Sequence, residues 1–179
     1  MAKIDFNFSD MSLLEMLSKL LNSTYCLILL LFFLDLLPHF DIKSQALKSF
    51  AYLGLLVGTP ILLLWNYFAF SQRKQQFLGT LYPSIMLIFI IVIGPLHVLF
   101  ASGAWHTQTV LYQHRNSRFK QIEFQLQDMG GLGYNKRTVQ VFYLTPLFIR
   151  TSPVPKNIRF AKEWKKVNLD CNELGLKEP

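Results

Sequence analysis

Three long apolar runs, Tyr25–Phe40, Phe50–Phe70 and Leu78–Ala101, decide the solvent in which this chain folds. The hydrocarbon core of a bilayer takes about 20 predominantly apolar residues per helix. The second and third runs reach that length with no Asp, Glu, Lys or Arg inside them. The first run is shorter, and it borrows Leu17, Leu20 and Leu21 from the segment before it. The expected fold is an α-helical integral membrane protein, with three transmembrane helices after an amphipathic N-terminal helix. A small C-terminal antiparallel β-rich module follows, making the whole α+β. The organisation read from these runs is an amphipathic helix over 1–23, a membrane region over 24–101 and a basic module over 102–179.

The N-terminal segment carries Asp5, Asp10 and Glu15 beside Lys3 and Lys19, which is not the positive leader of a cleaved signal peptide. Ser12 and Glu15 have capping-box spacing, and Leu13, Leu14, Leu17, Leu20 and Leu21 recur behind them at helical intervals. A helix lying on the membrane surface and feeding the first span is expected. Three spans place the two termini on opposite sides, with the Asp41–Ser49 loop on the side of the tail. Tyr25, Trp65, Tyr67 and Tyr82 fit one interfacial belt, and Tyr52 and Trp105 the other. The basic residues near the two faces are too evenly divided to orient the chain. A multi-pass protein of the cell (inner or plasma) membrane is the expected location.

Within the runs, Asp35 and His97 lie about a turn from the tail-side ends of the first and third spans. A carboxylate and an imidazole at similar depth form an intramembrane polar pair. Such a pair serves either a proton path or the packing of helices against one another. The remaining polar residues, Thr59, Asn66 and Ser84, are few for a conducting path. Pro60, Pro83 and the Gly94-Pro95 step are expected to kink the second and third spans.

The tail reads as strands. Gln121–Gln127 alternates strictly, with Ile122, Phe124 and Leu126 on one face and Gln121, Glu123, Gln125 and Gln127 on the other, as in a half-buried strand. Gln108–Gln113 precedes it across a hairpin turn at His114-Arg115-Asn116-Ser117, and Thr138–Leu144 follows, stopped by Pro146. A three-strand meander results. Lys156–Glu173, with Phe160, Trp164 and Val167 at helical spacing, is expected to form a helix covering one face and to end at Gly175. Gly130-Gly131-Leu132-Gly133 lacks the Gly-Lys-Ser/Thr ending of a phosphate loop and is a turn.

After residue 101, 12 Lys and Arg face six Asp and Glu, so the tail carries +6. Arg115, Arg118, Lys120, Lys136 and Arg137, with Tyr112, Phe119 and Tyr134 among them, form a candidate basic patch for an acidic protein surface or anionic lipid headgroups. No nucleic-acid partner is expected, since the aromatic signature of RNA-binding sheets is lacking. Cys26 and Cys171 stand apart without a C-x-x-C motif, and His106 and His114 have no third ligand nearby. No cofactor, metal or catalytic residue is expected, because no nucleophile–base set is visible.

These features describe a non-enzymatic membrane protein whose basic module docks a partner in a membrane or envelope complex. Other membrane proteins, further copies of the chain and anionic lipids are the expected partners. Two alternatives are an immunity protein against a membrane-active toxin and an oligomeric pore or proton-conducting subunit dependent on Asp35 and His97.

Overall fold

The computed structural model describes residues 8–70, 73–154 and 162–176, with side chains from Leu13 onward. Helix α1 runs unbroken through Phe8–Asp35, 28 residues or about 42 Å of helix. The surface helix and first span expected separately are therefore one element. Ser12 lies inside it, not at its cap, and Glu15 pairs with Lys19 at 2.8 Å, one turn on. Pro38, three residues past the end, cannot continue a helix.

Strand β1 (Phe40–Ile42) follows, then α2 (Gln45–Ala69), α3 (Arg73–Ile93) and the short α4 (Pro95–Phe100). Pro60 and Pro83 lie inside α2 and α3, which remain continuous. The third run does break, at Gly94. That residue adopts φ 99°, a conformation open to glycine, and Pro95 starts α4 with the fixed φ that suits a first helical position. Leu13–Asp35, Gln45–Ala69 and Arg73–Ile93 are each long and apolar enough to cross a membrane.

The chain forms two compact units. One is helical and comprises α1 up to Leu31 together with Ala51–Leu99. The other is built on a sheet and comprises Phe32–Phe50 together with the described residues from Phe100 onward.

In the helical unit, glycines and neutral polar groups set the packing. Gly54 meets Ile28, Gly58 meets Tyr25 and Gly79 meets Phe70, with no side chain of their own to hold the elements apart. Thr59 donates to the Leu55 carbonyl, so the Tyr25 hydroxyl donates to Thr59 Oγ1 at 2.6 Å. Asn22 and Asn66 exchange amide hydrogen bonds at 3.1 and 3.2 Å, and Asn66 also donates to the Gly79 carbonyl at 2.7 Å. Tyr82 donates to Asn22 Oδ1, and Trp65 to Ser18 Oγ at 2.9 Å. Each of these polar groups would be costly in hydrocarbon without a partner. Leu27, Leu30, Val57, Leu64, Ile88 and Ile91 point outward.

The sheet unit holds six antiparallel strands in the order β1-β5-β4-β3-β2-β6. They are β2 (Trp105–His114), β3 (Ser117–Asp128), β4 (Tyr134–Tyr143), β5 (Phe148–Ser152) and β6 (Trp164–Asp170), besides β1. The expected hairpin and third strand are its centre, and both edges are additions. Phe40 was expected to end the first apolar run and Asp41 to open a loop, yet the three residues pair with β5 from Phe40 opposite Arg150 to Ile42 opposite Phe148. Trp164 and Val167, expected on a helix, lie on β6, which pairs with β2. Phe160 falls outside the described residues. Gly130–Leu132 form one 3-10 turn between β3 and β4, with Gly130 and Gly133 at φ 62° and 90°, as glycine permits.

Alternation along β3 misled in one respect. Glu123 and Gln125 are completely buried and Gln127 nearly so, although the opposite face, with Ile122 and Leu126, is buried as well. The polar face is interior because hydrogen-bond partners on the neighbouring strands satisfy it: Thr107 on β2, and Asn135, Arg137 and Tyr143 on β4.

Candidate functional site

Beneath the polar face of β3 lies a network of hydrogen bonds and ion pairs. Glu123 accepts from Thr107 Oγ1 at 2.6 Å, from Gln125 Nε2 at 2.8 Å and from the Tyr143 hydroxyl at 2.7 Å. Lys43, from the segment after β1, donates to Thr107 Oγ1 at 2.6 Å and to Glu173 at 2.7 Å. Glu173 also accepts from the Thr107 amide at 2.6 Å, tying the end of the described chain to β2. Arg137 donates to Gln125 Oε1 and Asp41, both at 2.9 Å, and lies over the Trp105 ring at 3.9 Å. Asp35, the last residue of α1, accepts from the Ile42 amide at 2.9 Å and pairs with Lys48 at 3.0 Å.

Burial has the usual electrostatic consequences here. It pushes the Tyr143 phenol well above its ordinary value, and the adjacent Glu123 charge adds to this, so Tyr143 remains a neutral donor. It lowers the Arg137 guanidinium, opposed by Asp41. It also lowers His106, against the pull of Glu173. Burial raises the Cys171 thiol, with Glu173 adding to the effect, which leaves it a poor nucleophile. Glu123, flanked by donors on both oxygens, is engaged in holding strands together. Among the described residues no group of three or more His, Cys, Asp or Glu is arranged to bind a metal.

Sequence reasoning placed five cations in one patch, and the register separates them. Lys136 stands opposite Leu126 and Arg137 opposite Gln125, whereas Lys120 stands opposite Phe142. Six residues of β3 between Lys120 and Leu126 span about 20 Å. Arg137 belongs to the buried network, and Lys136 is exposed near it along β4. Arg115, Arg118 and Lys120 remain together at the β2–β3 turn. Asp35 lies in the sheet unit with Lys48 and Ile42, and His97 is an exposed residue of α4 in the helical unit.

At the β2–β3 turn β6 supplies what the sequence reading missed. Lys165 pairs with Gln113 and Trp164 with His114. Gln113, His114, Arg115, Arg118 and Lys165 line an open groove of about 430 Å³. Its wall is braced: the rings of His114 and Trp164 meet edge to face at 5.2 Å, and Lys120 lies 5.5 Å over the Trp164 ring. The Arg115 amide donates to the Glu163 carbonyl at 2.8 Å, fastening the turn to the lead-in of β6. The Glu163 carboxylate, largely exposed, is 3.6 Å from His114 Nε2. Arg115 and Arg118 are exposed, so their forks are available to carboxylates or phosphates. The alternation of Lys166, Asn168 and Asp170 with Val167 and Leu169 was the signal for β6, obscured by the helical spacing of Phe160, Trp164 and Val167. No protein-family profile matches this chain, no curated protein matches it in sequence, and no solved structure matches it in fold.

Proposed function

We propose that this chain is a non-enzymatic, membrane-anchored subunit whose sheet unit docks a partner protein in a membrane or envelope complex. The observation that carries this reading is the cation-lined groove at the β2–β3 turn, assembled by three strands beside the His114–Trp164 ring contact. Elsewhere in the sheet unit Lys43, Lys48 and Arg137 are committed to carboxylates within the fold. The groove cations face outward instead, as residues meant for another molecule would.

Membrane anchoring rests on the three helices of sufficient length and apolarity. Two further observations support it. The polar groups packed between those helices are neutral and hydrogen-bonded, as hydrocarbon demands. Strand β1, between α1 and α2, joins the same sheet as the segment after α4, and three crossings put those two stretches on one side.

The test is recovery of the full-length chain from its own membranes in mild detergent, followed by analysis of what accompanies it. A stoichiometric partner is expected with the unaltered chain and is lost when Arg115, Arg118 and Lys165 are replaced by glutamine. Recovery of the chain alone, or as a self-assembly indifferent to those replacements, would overturn the reading.

A further inference from the structure

We infer that the groove of Gln113, His114, Arg115, Arg118 and Lys165 binds an acidic peptide segment, a run of Asp and Glu side chains on the partner. The inference rests on the docking role above and names the chemistry that the groove recognises. Its lining supplies three cations, the Gln113 amide and the His114 imidazole, and no carboxylate. Two guanidinium forks prefer planar, bidentate acceptors, the geometry of a carboxylate. A volume of about 430 Å³ exceeds what one small anion fills and suits several short side chains. The Glu163 carboxylate, 3.6 Å from His114 Nε2, lies mostly in solvent.

A lipid headgroup, the other anionic occupant, is told apart from a peptide by competition with anionic vesicles. The ends of α1 and α2 that belong to this unit are fixed by Asp35, Lys48 and Lys43, and Lys43 reaches Thr107 on β2. His114 lies seven residues farther along the same strand, about 20 Å away once its irregularities are allowed for. The groove thus stands about a strand's length from the Lys43–Thr107 contact within the sheet unit. The outer edge of β6 is a poor competing site. Asn168 there has φ 48°, the pairing with β2 shifts between Lys166 and Leu169, and two lysines stand on the strand, features that block further strand addition.

The experiment uses the full-length chain in detergent micelles and a fluorescent hexaglutamate peptide, read by anisotropy at about 50 mM and about 150 mM salt. Saturable binding that weakens with salt is expected. Replacing Arg115, Arg118 and Lys165 together by glutamine is expected to weaken it about tenfold or more, from three exposed charge contacts. Arg150→Gln, an exposed cation on β5, is expected to leave it unchanged. Lys165→Glu alone must act in the same direction as the triple replacement, so the test survives if that variant folds poorly. Absence of peptide binding, or equal losses with Arg150→Gln, would overturn the inference. So would stronger competition by inorganic phosphate, or by anionic phosphatidylglycerol vesicles, than by unlabelled peptide. A partner that still co-purifies in a groove-dependent way while hexaglutamate fails would leave the docking role standing and remove only the acidic-peptide chemistry.

Discussion

The two units bury polar groups by opposite rules. In the helical unit the buried partners are hydroxyls and amides: Tyr25 with Thr59, Asn22 with Asn66, Trp65 with Ser18. In the sheet unit they are charges: Glu123, the Asp35–Lys48 pair and the Arg137–Asp41 pair. A neutral group that loses its partner between membrane helices costs less, because neighbouring groups in the bundle take up part of the lost hydrogen bonding. A buried charge that loses its partner keeps a penalty of several kcal/mol. The helical unit is therefore expected to tolerate replacement of its polar residues, and the sheet unit to depend on each of its own.

The largest expected effect tests this contrast directly. Glu123→Leu leaves Thr107, Gln125 and Tyr143 without their shared acceptor, and at about 1–3 kcal/mol for each buried group left unsatisfied it should destabilise the sheet unit by about 3 kcal/mol or more. Asn66→Leu, also at a completely buried position, should cost the helical unit only about 1 kcal/mol. Denaturant unfolding reports both, with the sheet followed through Trp105 and Trp164 in a Trp65→Phe background. Equal losses at the two sites would break the comparison.

An intermediate effect concerns two glycines. A Cβ on Gly103 would stand 2.5 Å from the Asp128 backbone oxygen, whereas one on Gly54 would stand 2.7 Å from Ile28 Cδ1, the tip of a flexible side chain. Gly103→Ala must move backbone and should cost about 2 kcal/mol. Gly54→Ala also brings Ile28 Cγ1 to 3.1 Å, so the Ile28 side chain must shift while the backbone stays in place, and it should cost less than Gly103→Ala, about 1 kcal/mol. Thermal unfolding of the two variants orders them, and the reverse order would show that the sheet unit yields more easily than its packing indicates.

The smallest effect is electrostatic. Burial holds His106 below its ordinary value of 6.5, so the folded chain binds fewer protons than the unfolded one just beneath that pH. The stabilisation is complete above pH 6.5 and is lost as pH falls through the folded value. A shallow decline in sheet stability on acidification is expected, and His106→Gln should flatten it. An unchanged slope would remove His106 as its source.

What the sequence disclosed follows from where the dominant forces act. Hydrophobic length alone located α1, α2 and α3, and alternation with a polar turn located the β2–β3 hairpin. Strand β1 was invisible because three residues, Phe-Asp-Ile, have no measurable period, and their pairing with β5 is tertiary. Strand β6 was read as a helix because Trp164 and Val167 satisfy a helical interval as readily as a strand. Of the groove lining, Arg115 and Arg118 stood close together in the sequence beside the expected hairpin turn. Lys165 did not, since only the β2–β6 register brings it there. The burial of Glu123 was equally unreadable, because its partners Thr107, Gln125 and Tyr143 come from three different strands.

The pairing of Phe40 with Arg150 joins residues 110 positions apart in the chain. During synthesis β1 leaves the ribosome early and then has no neighbour until β5 follows. By that time all three long helices have emerged. The long-range closure of β1 on β5 is accordingly a late step in making this protein, following the local helices and the β2–β3 hairpin. Any truncation before residue 148 would leave the Phe40–Ile42 edge open to other chains.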